Sequence, residues 1–249
     1  MSARFLRIIL SVAALAGVVS CNRNSPATSK PAPESTGPVR TGTATVQGAV
    51  ILSGPLPMLL LLPNQPCHAG GKPLVDESVV ADSAGHLQNV IVYLEDAPPP
   101  PRANNLLPAE LDQVDCHYIP HVLALRVDQT LHVTNSDATF HNVHFLCEDN
   151  NPFNFALVAV GQWRDLRFSM PENFQVRCDV HPWMKAYVSV FAHPYFSVTK
   201  QDGTFEIRDV PSGKFTLVAR HEKYGELRAH VSVVDGQNVT ATSFVFQSR

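Results

Sequence analysis

The 249-residue chain has no long stretch of helical periodicity and no excess of basic residues. The first lack excludes a helical bundle. The second, 19 Lys and Arg against 22 Asp and Glu for a formal charge of −3, leaves no electrostatic footprint for nucleic acid. Beyond residue 20 no run is long and apolar enough to span a bilayer; Leu59 to Leu62 is only a short leucine run. No Ser–His–Asp or metallohydrolase spacing stands out. Methionine is scarce: there are four, one of them the initiator, and no Met-rich tract.

What is present begins with a targeting signal. Arg4 and Arg7 give a positive start, and Ile8 to Val19 is an apolar stretch too short to cross a membrane. Val18-Val19-Ser20-Cys21 then has the form of a lipobox, so residues 1–20 read as a lipoprotein signal peptide and Cys21 as the lipidated residue. Cleavage there removes Arg4 and Arg7 and leaves the rest more acidic. Asn22, where an Asp commonly retains lipoproteins in the inner membrane, points to the outer membrane. Residues 21–43 are rich in Ser, Thr, Pro and Gly and read as a disordered tether.

From residue 44 onward the pattern is β. Apolar and polar residues alternate over Val46–Leu52, Val90–Leu94, Leu123–Val127, Thr130–Thr134, Tyr187–Phe191, Thr204–Ile207, Lys214–Ala219 and Ala229–Val234, with Gly, Pro, Asn and Asp between them. This predicts an all-β fold of sandwich or barrel type. Asp202-Gly203-Thr204-Phe205 and Val210-Pro211-Ser212-Gly213, with the alternating strand after them, resemble the carboxypeptidase regulatory-like domain, a small Ig-like β-sandwich without catalysis of its own. The start of that family's pattern lies far upstream, at residues 45–57. The resemblance implies a sandwich built from residues 44–100 and 193–247 around an inserted domain at 111–192. Serial packing of the sheets into one larger unit is the alternative.

The inserted stretch carries the chemistry. Cys178-Asp179-Val180-His181-Pro182-Trp183-Met184 spaces Cys, His and Met at intervals of three, and His141-Asn142-Val143-His144-Phe145 lies upstream. One thiolate, two imidazoles and a weak axial thioether make up a type 1 copper site. Three donors on one loop, with a fourth from a distant strand, can be aimed at one point. These strings resemble the cupredoxin (blue copper) family, and among its members the amicyanins, whose ligand loop has the form C-x-x-H-P-x-M and whose first histidine sits in an H-N-V-H-F string. The resemblance implies a Greek-key β-sandwich at 111–192 and one copper held by His141, Cys178, His181 and Met184. It prefers His141 over His144 and gives Asn142 the task of tying the two ligand loops together by hydrogen bonds. It also makes Pro182 and Trp183 a docking patch over the electron exit, though Trp183 could equally be a core residue.

Cys67, Cys116 and Cys147 remain. An exported protein can form disulfides. Cys67–Cys116 is the favoured pair, leaving Cys147 over; Cys147 could instead pair with Cys116 or stay free. Cys116-His117-Tyr118-Ile119-Pro120-His121, with His68 beside Cys67, admits a second metal site, but strand residues beside a disulfide explain it more simply. The string resembles one in exported proteins often called methylamine-utilisation-like.

The expected function is that of an electron carrier, not an enzyme. Copper oxidases and nitrite reductases need further copper, commonly bound by His-x-His pairs, and this chain has none. The expected partners are a redox protein of unknown identity and, through the N-terminal lipid, a membrane. The alternative is a non-catalytic module that holds copper or binds a cell-surface partner or glycan.

Overall fold

The structure is a computed structural model. It describes residues 42–58, 60–62, 74–99, 106–241 and 243–248. The signal segment, nearly all of the tether, Cys21, Cys67 and His68 lie outside the described residues.

The described residues form strands and no helix. The chain opens with β1 (Ala44–Ser53) and β2 (Ile91–Leu94). The central stretch supplies β3 (Ala109–Val114), β4 (His117–Ile119), β5 (Val122–Arg126), β6 (Leu131–Asn135), β7 (His141–Phe145), β8 (Asn154–Leu157), β9 (Trp163–Leu166), β10 (Glu172–Arg177) and β11 (Lys185–Phe191). It closes with β12 (Phe196–Val198), β13 (Thr204–Val210), β14 (Gly213–His221), β15 (Gly225–Val233), β16 (Asn238–Thr240) and β17 (Phe244–Gln247).

The two ends of the chain share sheets. β1 pairs antiparallel with β13 and parallel with β16 and β17. A second sheet runs β12-β2-β14-β15. Inward residues of both sheets, among them Val46, Val50, Leu94, Phe205, Leu217 and Phe244, form one core. Period two explains β1: Ala44, Val46, Val50 and Leu52 are buried, and Gly48 keeps the same parity. Its register partner is Phe205, whose ring would lie 2.7 Å from any Cβ at residue 48, so the ring takes the space that a side chain would fill.

The central stretch makes two further sheets, β5-β11-β10-β7-β8 and β4-β3-β6-β9, around a second core. Phe145 is at its centre, with the rings of Phe168, Phe174, Phe153 and Phe155 at 5.5 to 6.5 Å between centroids. Edge-to-face and offset ring pairs of this kind add to the burial of large apolar surface. A small cluster joins the two parts: Ile91, Tyr93 and Val218 pack against Val122 and Phe191.

Candidate metal centre

The site forms where β7 and the β10–β11 hairpin meet. β10 pairs with β7 on one side and β11 on the other. Cys178 follows directly after β10, and Met184 directly precedes β11. The loop between is closed by Cys178 N–H donating to Met184 O (3.1 Å) and Met184 N–H donating to His181 O (2.9 Å). His141 opens β7. In that strand His141, Val143 and Phe145 share the buried face, and His144 is turned to the other.

His141 Nδ1 lies 2.9 Å from His181 Nδ1, and Cys178 Sγ lies 3.6 Å from the same His181 nitrogen. One donor atom from each of the three side chains falls within 4.8 Å of the others. His141 is fully buried, Cys178 and Met184 are 1% exposed, and His181 is half-buried. Met184 belongs to the same core cluster as Cys178. The cluster is therefore closed to solvent except at His181. His144 is elsewhere: its Nδ1 meets the Asp179 carboxylate at 3.0 Å.

Burial and hydrogen bonding together set the charge state of the cluster. Burial opposes a charged Cys178, yet the hydrogen bond from His141 and the amides of Asn142, His181 and Val180 outweigh it and hold the thiol below its ordinary value. Burial likewise opposes a charged His141, but Asp137 and Cys178 push it up to about 9. His181 moves down through burial and the neighbouring His141.

The supports are extensive, and sequence reading had found only Asn142. Its Oδ1 accepts the Asp179 amide at 2.6 Å, and its Nδ2 donates to Asp179 Oδ2 and to Asn154 Oδ1. Asn142 thus spans from β7 to the hairpin loop. Asp179 is held at about 2, first by the hydrogen bond with His144 and then by the amides of Asn142 and Asn154. Asp137 accepts His141 Nε2 at 2.8 Å, and its oxygens also take the amides of Asp115 (2.7 Å) and Cys116 (2.9 Å). Nothing in the string Asn135-Ser136-Asp137 sets that carboxylate apart from an ordinary turn residue.

The remaining expected residues fall as follows. Pro182 is exposed. Trp183 is half-buried; its Nε1 donates to Cys116 O at 3.2 Å, and its ring lies 5.2 Å from the His181 ring. Cys116 is disulfide-bonded, and its expected partner Cys67 lies outside the described residues. Cys147 is a free thiol, pushed up to about 12 by burial and by Glu172. Among the described residues, which exclude His68, the histidines around Cys116 are not gathered into a second metal site. His117 bonds backbone oxygens of Asp115 and Val75, and His121 pairs with Glu222. Cys116 Sγ does approach Asp137 and His141, but as part of a disulfide it offers no thiolate.

No family model matches the sequence, and no curated protein matches it. Solved structures do. A copper-containing nitrite reductase from Thermus scotoductus matches at 21% identity and TM-score 0.33, over 52% of this chain and 27% of that one. A mutant of amicyanin in its Cu(I) form matches at 24% identity and TM-score 0.31, over 33% of this chain and 81% of that one. A purple cupredoxin from Nitrosopumilus maritimus matches at 22% identity and TM-score 0.29, over 33% and 98%. This chain therefore spans about a quarter of the nitrite reductase.

Proposed function

We propose that this protein holds one copper ion of type 1 and carries single electrons between partners in the cell envelope. The observation that carries the reading is the convergence of His141 Nδ1, His181 Nδ1 and Cys178 Sγ in a buried site. Two imidazoles and a thiol that readily ionises are the donor set that suits copper, and Met184 beside them adds a thioether. Copper bound there would supply a one-electron couple between Cu(I) and Cu(II). The chain's own contribution is to fix the donors and keep water out. Asp137 holds the His141 ring through Nε2, so that Nδ1 faces the other donors. Asn142 and the loop hydrogen bonds hold Cys178 and His181 in register. A donor set that is rigid in both oxidation states needs little rearrangement when an electron moves.

His181 is the only one of the three clustered donors that reaches the surface, so its outer edge is the exit. Pro182 beside it, with the exposed Val180 and Phe140 next to His181 and His141 in the chain, offers an apolar docking patch. Trp183 serves it from below, through its packing on His181. The N-terminal segment would export the chain and anchor it through lipid on Cys21, with the outer membrane favoured.

The test is the visible absorption of the signal-free protein with Cu(II). An intense blue band that bleaches reversibly with mild reductant, and is absent in Cys178→Ser, is expected. A colourless protein sinks the carrier reading.

A second reading, a module that binds a cell-surface partner or glycan, has one feature in its favour. A cleft of about 350 Å³ lies between the two parts, its mostly apolar lining of Ile91, Val122 and Val188 interrupted by Asn173, Gln175 and Arg220. A colourless protein that still binds glycan in this cleft would favour it.

A further inference from the structure

We propose that the Asp115–Cys116 turn, tied down by the Cys116 disulfide, is a brace that sets both histidine donors of the metal centre. The proposal rests on the copper reading above and deepens it.

β3 and β4 are joined by this two-residue turn, with Val114 and His117 as the closing pair. Both turn residues have positive φ, 50° at Asp115 and 59° at Cys116. A two-residue hairpin turn of this hand needs left-handed conformations and ordinarily recruits Gly or Asn for them. A cysteine is poorly suited, because its Cβ crowds the following carbonyl. Such a conformation persists only where its surroundings over-determine it. Here the surroundings are three: the disulfide, the Asp137 carboxylate and the Trp183 indole.

Two of these lead directly to the metal donors. On one side the amides of Asp115 and Cys116 fix the two oxygens of Asp137, and Asp137 Oδ2 receives His141 Nε2. On the other side Cys116 O receives Trp183 Nε1, and the Trp183 ring packs on His181. One fully buried residue therefore touches the supports of both histidines, one through its N–H and one through its C=O. Cys116 and Asp137 are positioning residues, since each acts on the metal through another side chain. A fixed carboxylate behind His141 makes the imidazole a stronger donor and favours the more highly charged metal state. Loosening the turn is then expected to weaken Cu(II) more than Cu(I), which raises the reduction potential.

The test compares the full chain with a Cys67→Ser/Cys116→Gly variant. Glycine accepts the positive φ, so the turn stays accessible while the cross-link is lost, and replacing the expected partner leaves no new thiol. Cu(II) affinity is expected to fall ten- to a hundredfold. The potential is expected to rise by about 59 mV for each tenfold of Cu(II)-selective loss. Unchanged affinity and potential in a folded variant would overturn the brace and leave the copper reading standing. If that variant does not fold, Trp183→Phe keeps the disulfide and an aromatic ring beside His181 while removing the Nε1–H donor and the wider ring face; a shifted potential supports the brace and an unchanged one rejects it. A wild type without a blue band overturns the copper reading itself. The brace is then judged on the metal-free chain by nitrogen NMR of the His141 ring. An Nε2–H protected from exchange by Asp137 in the wild type and exposed to exchange in the variant supports it; identical spectra reject it.

Discussion

His141 and His144 are three positions apart in one strand, and a strand turns its side chains over at every residue. They therefore face opposite sides, and only His141 meets Cys178 and His181. His141→Gly is expected to abolish the blue band, and His144→Gln to keep it, as copper titrations followed at the blue absorption will show. This choice was legible in the string itself, because Val143 and Phe145 share the parity of His141 and mark it as the buried face. The hairpin donors were legible for another reason: Cys178, His181 and Met184 lie within seven residues, so local spacing alone suggests convergence. Asp137 and Cys116 were not legible as supports. Their parts depend on a turn that reaches the site from β3 and β4, a contact made in space between segments some twenty residues apart.

At the scale of elements, β7 links the metal centre to the core beneath it. Its first residue is His141 and its last is Phe145, the hub of the aromatic cluster. Phe145→Ala should destabilise the protein by about 3–5 kcal/mol, read from denaturant midpoints. It should also broaden the copper spectrum, because the strand that carries His141 loses its packing. Alternation made eight strands readable, including β1, β11 and β14. β3, β4, β7, β8, β9, β10, β12, β16 and β17 were not, and for β8, β9 and β16 burial explains why. β9 has three exposed residues out of four, and β16 has two out of three, so no apolar period exists to be seen. β17 does alternate, with Phe244 and Phe246 buried, but four residues near a chain end give a short signal.

At the scale of the whole molecule, stability carries a pH signature outside the metal centre. His221 is buried, and its Nδ1 accepts the amides of Lys223 and Tyr224, so the ring must be neutral at that nitrogen. Burial, with His121 and Lys223 nearby, pulls it down to about 4 from 6.5, against the pull of Glu222. Between these values the unfolded chain binds a proton that the folded chain refuses. Stability is thus complete above the unfolded value and declines as pH falls toward the folded one, by at most about 3 kcal/mol. His221→Asn, which can accept the same amides without titrating, should flatten this part of a denaturation series between pH 7 and 4. The anchoring reading is tested on the same scale: Cys21→Ala should move the protein from the membrane fraction to the soluble one and abolish labelling by a fatty-acid probe. The all-β class was legible because punctuated alternation runs the length of the chain. The order of strands within each sheet was not, because alternation marks the faces of a strand and not its neighbours.

The pairing of β1 has a consequence for how the protein is made. Among the described residues, the named strands bonded to β1 begin at residue 204 or later, with a single bridge nearer by at Ile51–His86, whereas the sheets around the candidate site draw only on residues 109–191. A chain being synthesised can complete the central part while β1 is held only by its bridge to residues 85–87. Its pairing is complete only when Phe244 to Gln247 have followed. Loss of Phe244 to Gln247 would then leave one edge of β1 open to proteases, beside a central part already built.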